Sequence, residues 1–295
     1  MNKVGIHALV WAGGWSQEES RRAIAGAAAT GYDLIEIPLL APKTVDVAAT
    51  RALLAEFGLG ATTSLGLGFD TDISSPEPEI VARGEALLGD ALAVCRDLGS
   101  RYMGGVIYSA LGKYSAPPTA AGRANCIAVL TRLAEKAKSS SIVLGLEPVN
   151  RYESNLINTG RQAMTIIEST GADNIVVHLD SYHMNIEEGD LVAGIEACAS
   201  RLGYFHVGES HRGYLGTGTI DFRSIFRTLA RIGYGGALTF ESFSSAIVQP
   251  ALSSALAVWR DLWSDSEDLA RHARRFIESE WDSARRSRRD RPKAD

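Results

Sequence analysis

Cysteine is scarce, with three residues in 295, scattered at positions 95, 126 and 198. No CxxC pair exists, so neither a zinc knuckle nor a disulfide framework is signalled, and partly buried free thiols in a reducing cytoplasm are expected. An excess of charge is also missing. The net charge of −5 gives no global electrostatic case for binding nucleic acid or an anionic membrane. No run of about 18 apolar residues is present to span a bilayer. The opening Met1-Asn-Lys-Val-Gly lacks the basic-then-apolar pattern of a secretion signal. A cytoplasmic protein with no membrane or nucleic-acid partner is therefore expected. No proline- or serine-rich linker divides the chain, and no GxGxxG follows the first apolar run, which counts against an open doubly wound sheet.

The chain does have alternation. Short apolar runs at 4–10, 34–37, 61–65, 102–107, 142–146, 175–179, 204–206 and 237–240 read as strands. Amphipathic stretches near 17–30, 45–57, 78–98, 119–139, 161–169, 191–202 and 222–232 read as helices, with a last long one at 251–283. Eight such repeats predict a single-domain (β/α)8 TIM barrel over residues 1–283. The remainder, 284–295, holds five arginines and a lysine and reads as a disordered, solvated tail; nucleic acid or membrane contact is the alternative.

Four metal-type ligands close apolar runs: Ile142-Val-Leu-Gly-Leu-Glu147, Ile175-Val-Val-His-Leu-Asp180, Tyr204-Phe-His206 and Ala237-Leu-Thr-Phe-Glu241. A carboxylate or imidazole ending a buried strand is costly unless something pairs with it. Four on successive strands suggest one shared partner, and three carboxylates with one imidazole suit Mn²⁺, Mg²⁺ or Co²⁺. In a barrel these positions lie at the C-terminal rim, where catalytic groups gather. Gly145 shares a face with Glu147 and is expected to leave the interior open beneath the site. Glu153, His183 and Arg212 follow in the adjoining loops, offering an acid, an imidazole and a forked cation for the oxygens of a polyol. Other positions are ambiguous. Glu36 either touches a ligand at the mouth or caps its loop. Glu209 either orients His206 or pairs with Arg212. Gly216-Thr-Gly218 reads as a flexible loop, since no basic cluster surrounds it. Trp259 and Trp263 are assigned to the last helix, facing either the barrel or another subunit.

The segments Leu146-Glu-Pro-Val-Asn-Arg-Tyr-Glu-Ser-Asn155, His178-Leu-Asp-Ser-Tyr-His-Met-Asn-Ile-Glu-Glu188, His206-Val-Gly-Glu-Ser-His-Arg212 and Phe240-Glu-Ser-Phe243 resemble the D-tagatose 3-epimerase family. This is the ketose 3-epimerase group that includes D-allulose (D-psicose) and L-ribulose 3-epimerases. The opening Gly5-Ile-His…Trp11 and Gly31-Tyr-Asp-Leu-Ile-Glu-Ile37 are also similar, so the resemblance spans about residues 3 to 280. It implies that Glu147, Asp180, His206 and Glu241 bind one divalent cation, usually Mn²⁺. It implies too that Glu147 and Glu241 form the acid–base pair, and that Glu153, His183 and Arg212 contact the O1–O3 end of a free ketose. Trp11 and Phe243 match the family's apolar pocket wall. His7, at the end of the first strand, joins the substrate-binding set, and His7-Ala-Leu departs from the aromatic residues of many relatives. A homodimer or homotetramer is implied as well.

The implied chemistry agrees with the residue types. Inverting C3 requires a proton to leave one face and another to arrive on the opposite face. A divalent cation acidifies that proton and stabilises the enediolate, and one glutamate on each side then serves as base and acid. An aldose–ketose or hydroxypyruvate-type isomerase on the same barrel is the alternative. A nuclease resembling endonuclease IV needs more histidines than the six present. A non-catalytic sugar-binding protein leaves the acid–base set unexplained.

Overall fold

The computed structural model describes residues 2–289. Eight strands run in chain order around a closed parallel barrel. They are β1 Val4–His7, β2 Leu34–Pro38, β3 Gly60–Leu67, β4 Tyr102–Ala110, β5 Val143–Leu146, β6 Ile175–Asp180, β7 Leu202–Val207 and β8 Ala237–Phe240, and β1 pairs with β8 to close the ring. The surrounding helices are α1 Gln17–Ala29, α2 Val47–Phe57, α3 Pro78–Asp97, α4 Ala120–Ser139, α5 Gly160–Thr170, α6 Ser181–Glu187, α7 Leu191–Ala197, α8 Phe222–Arg231, α9 Pro250–Ala255 and α10 Ser266–Arg289. The barrel expected from the alternation is the fold observed. Among the described residues, no helix is long and apolar enough to cross a membrane.

Local chemistry sets the element ends. Ser16 with Glu19, and Thr159 with Gln162, form reciprocal caps that satisfy the first free amides of α1 and α5. Asp180 ends β6 and caps α6 with one carboxylate oxygen, 2.7 Å from the Tyr182 amide. β1 is shorter than its apolar run. The His7 imidazole accepts the Leu9 amide at 3.2 Å, and Ala8–Val10 tighten into a 3₁₀ turn. His7 therefore stands at the strand end, in register with Glu36 of β2.

The C-terminal segment differs from expectation. A single helix over 251–283 is replaced by short α9, an irregular connection carrying Trp259 and Trp263, and α10. Trp263 is buried, as are Leu269, Ile277 and Trp281 of α10, so this apolar surface is consumed by the molecule's own barrel. Because α10 reaches Arg289, the first residues of the expected unstructured tail are helical; 290–295 lie outside the described residues. The three cysteines are buried and unpaired.

The barrel interior is filled, not open. The Tyr102 and Tyr204 rings stack at 4.2 Å, 11° from parallel, across the axis. A Cβ on Gly145 would sit 1.9 Å from the Tyr102 hydroxyl, and one on Gly104 2.4 Å from it. Glycine at 145 thus makes room for a tyrosine rather than for a ligand. Gly145→Ala forces this packed layer apart and is expected to cost about 1–3 kcal/mol. A thermal melt of the metal-free protein checks this: the Tm drops by several degrees, and an unchanged Tm contradicts the packing described.

Candidate metal centre and substrate cavity

Register brings the four strand-end residues to one rim. Asp180 of β6 pairs with His206 of β7. Glu147 lies one residue past β5, its amide donating to the Gly105 carbonyl at 3.2 Å, and Glu241 lies one past β8, bonded likewise to Val207. One ligand-type atom from each lies within 4.8 Å of all the others, and all four residues are buried. His206 directs Nδ1 into this cage, 3.1 Å from Glu147 Oε1 and 3.5 Å from Glu241 Oε1. Its Nε2 lies 2.8 Å from Glu36 Oε2.

The donor set fits a divalent cation: hard carboxylate oxygens and one imidazole nitrogen, gathered within 4.8 Å of one another. The electrostatics agree. Burial pushes the Glu147 carboxyl up, against the pull of His206, and the charges of Glu241 and Asp180 push it further. Burial also opposes ionisation of Glu241, but His206 and Arg212 outweigh it and hold that carboxyl below its usual range. For His206, burial disfavours the cation, yet Glu36, Glu241 and Glu147 raise its pKa well above the ordinary value. The Arg212 guanidinium already supplies positive charge here, with Nη1 2.8 Å from Asp180 Oδ2 and 2.5 Å from Glu241 Oε2. A dication in the cage would relieve the same crowding.

Arg212 is held with care. Its φ is +61°, a left-handed conformation uncommon for a residue with a Cβ. The Glu209 carbonyl accepts its amide at 2.8 Å, the Ser242 hydroxyl bonds its carbonyl, and Tyr182 stacks 3.9 Å from its guanidinium carbon. The Glu209 side chain contacts neither His206 nor the Arg212 guanidinium. It accepts the Ser210 and Gly216 amides, ties the 210–218 loop together and fills the space beside Gly218.

Glu153 and His183 face the cavity together. The His183 Nδ1 accepts the Asn150 backbone amide at 3.1 Å, and its Nε2 lies 3.2 Å from Arg212 Nη2, which can only donate, so donors face both ring nitrogens. Burial pushes the His183 pKa down to about 3, so the ring is neutral. Burial raises Glu153 to about 7 despite Arg212, and the Asn150 amide donates to its Oε1 at 2.7 Å. Asn150, which bonds both side chains, was not singled out from the sequence. It lies in Glu147-Pro-Val-Asn150, and its signal was a polar residue in the same loop as the ligand.

The cavity is lined by Glu147, Glu153, His183, His206, Arg212 and Glu241, and by His7, Ser64, Val106, Phe243, Leu252 and Leu256. Phe243 and His7 are thus where expected, with ring centroids 6.0 Å apart. Trp11 is not. The 3₁₀ turn after β1 swings it onto α1, where a Cβ on Gly26 would come within 2.5 Å of the indole, so it packs a helix and does not line the cavity. Leu252 and Leu256, from the α9 segment, were hidden by the expectation of one long helix.

A family described as xylose isomerase-like TIM barrel matches residues 24–280. An L-ribulose 3-epimerase from Methylomonas sp. (strain DH-1) is 52% identical over 277 residues, 94% of this chain and 97% of the relative. A ketose 3-epimerase from Arthrobacter globiformis is 50% identical, covering 93% of this chain and 95% of its own. The crystal structure of a D-allulose 3-epimerase from Methylomonas sp., in complex with D-allulose, superposes with a TM-score of 0.93 at 52% identity, covering 95% of this chain and 97% of that one.

A cation held only by the folded cage stabilises the fold. With free Mn²⁺ at 100 times its dissociation constant the gain is about 2.7 kcal/mol, read as a rise in Tm over chelator-treated protein. Asp180→Asn should reduce that rise. A melt indifferent to Mn²⁺, Co²⁺ and Mg²⁺ would remove the cation from this site.

Proposed function

This chain belongs to the D-tagatose 3-epimerase family of xylose isomerase-like barrels, and from that premise we propose that it is a metal-dependent isomerase inverting C3 of a free ketose. The observation that carries the reading is the placement of two glutamates, Glu147 and Glu241, in one buried four-residue cage beside a cavity lined with polyol-binding groups. Glu147, Asp180, His206 and Glu241 would hold the divalent cation, Mn²⁺ with Co²⁺ or Mg²⁺ as substitutes. When bound, it supplies Lewis-acid polarisation of the C2 carbonyl and charge that stabilises the cis-enediolate.

The chain's own residues do the rest. Glu147 follows β5 and Glu241 follows β8, so their carboxyl groups approach a substrate from different sides. One removes the C3 proton and the other returns a proton to the opposite face. The Arg212 guanidinium donates to an oxygen at the O1–O3 end, the His183 ring beside it contacts the same end, and Glu153, steadied by Asn150, accepts from a hydroxyl there. Phe243, Leu252 and Leu256 line part of the cavity with apolar surface and limit water beside the reacting centre. The relatives' activities favour L-ribulose/L-xylulose and D-allulose/D-fructose as substrate pairs, with D-tagatose/D-sorbose next. The three buried free thiols support a reducing, cytoplasmic setting.

Assembly as a homodimer or homotetramer belongs to the same reading. The support is no longer α10, whose apolar residues pack on the barrel. Among the described residues, the large exposed Leu40, Phe69 and Tyr152 instead sit on the loops after β2, β3 and β5, at the mouth of the barrel, and Trp259 on the connection between α9 and α10. A second copy covering this rim would bury them. Light scattering at micromolar concentration should give a multiple of 31.6 kDa. A mass of one chain overturns the assembly.

Chromatography of Mn²⁺-loaded protein incubated with each free ketose tests the reaction. A C3 epimer is expected, whereas an aldose product would select the aldose–ketose alternative. Glu147→Gln and Glu241→Gln should each lower turnover by at least about 100-fold, the lower range for a lost acid–base group. Each variant should retain solvent proton exchange at C3 from one epimer only. Equal exchange from both epimers in both variants contradicts one base per face.

A further inference from the structure

We propose that Glu36, which lies outside the ligand cage, is the positioning residue that fixes the tautomer of His206 and so presents Nδ1 to the cation. The inference rests on the metal-binding reading above and deepens it. Glu36 is on β2, four strands away from β6 and five from β7 in chain order, and is 0% exposed. Its Oε2 lies 2.8 Å from His206 Nε2 and also 2.8 Å from the Tyr204 hydroxyl.

The chemistry leaves little freedom. A neutral imidazole has one N–H and one lone pair, and an ionised carboxylate can only accept. Carboxylates face both ring nitrogens of His206, Glu36 at 2.8 Å from Nε2 and Glu147 at 3.1 Å from Nδ1; when Nδ1 ligates a cation the ring keeps one proton, and the Glu36 bond holds it on Nε2. Nδ1 is the nitrogen facing Glu147 and Glu241. With the proton on Nδ1 instead, the ring would present an N–H to the cage and could not ligate. Two further bonds hold the arrangement. The Tyr204 hydroxyl donates to the same Glu36 oxygen, and it in turn accepts the Thr239 hydroxyl at 2.7 Å. Thr62 Oγ1 lies 2.8 Å from Tyr204 as well. Strands β2, β3, β7 and β8 thus meet on one tyrosine oxygen, and the carboxylate cannot rotate without breaking that chain. Outer partners that orient a ligating histidine typically contribute 10–100-fold to metal affinity.

Mn²⁺ dissociation constants for the wild type, Glu36→Ala, Glu36→Gln and Tyr204→Phe, measured by calorimetry, test the proposal. Glu36→Ala should weaken binding by about 10–100-fold. Glu36→Gln keeps an acceptor and should fall between it and the wild type, while Tyr204→Phe leaves the His206 bond and should stay closer to the wild type. A purely structural Glu36 would lower the Tm of metal-free protein without moving these affinities. In parallel, long-range ¹H–¹⁵N spectra of ¹⁵N-histidine-labelled, Mg²⁺-loaded wild type should show His206 protonated at Nε2 and not at Nδ1. This measurement needs no variant beyond His206→Gln for assignment, so it stands even where Glu36→Ala does not fold. An affinity for Glu36→Ala within two-fold of the wild type, or a proton on Nδ1 in the loaded wild type, overturns the proposal and leaves the epimerase reading intact. A wild type that takes up no cation fails that reading itself.

Discussion

Buried negative charge at the barrel rim is the constraint on which the rest of the structure depends. Glu36, Glu147, Glu153, Asp180 and Glu241 are all at least nine-tenths buried, within reach of one another, and an unpaired buried carboxylate is expensive. His206 and Arg212 are the internal cations that respond, and the carboxylates raise the pKa of each. The response is incomplete. Glu147 and Glu153 remain pushed toward their neutral forms. The cluster is therefore left with negative charge that a bound cation would offset.

The barrel makes this cluster geometrically possible. Parallel register carries strand ends to a common level, so residues distant in sequence become neighbours around the rim. Asp180 and His206 are adjacent through pairing of β6 and β7, and His7 and Glu36 through pairing of β1 and β2. Below them the stacked Tyr102 and Tyr204 plug the interior, with the edge of His178 against Tyr204 at 4.7 Å. The plug gives the rim a rigid floor. Above it, Asn150 and the strained Arg212 backbone fix groups on loops that would otherwise be free to turn.

Much of this was legible in the chain. The strands were visible because each is an apolar run of the right length, and the ligands because a charged residue ending such a run is anomalous. Glu153, His183 and Arg212 were visible as polar residues in the loops just beyond. Trp11 was misread because a 3₁₀ turn begins at His7, and a histidine capping its own strand end has no distinctive signal. The helix at the C-terminus was read as continuous because its apolar residues recur across a break that only packing against the barrel imposes. Gly145 was read as open space because a glycine reports the absence of its own side chain, not the identity of the one that fills the gap.

The division follows from the range of the forces. The sequence by itself determined the element order, the (β/α)8 class and the four cage residues, since these depend on periodicity and on charge at strand ends, both local properties. Only the tertiary structure decided what the side chains meet. It joined Glu36 to His206 across 170 positions, tied Glu209 to its own loop, turned Trp11 onto α1 and set Tyr102 beneath the site. Those pairings arise when the sheet closes and distant residues must share one small volume, a condition that no local pattern along the chain encodes.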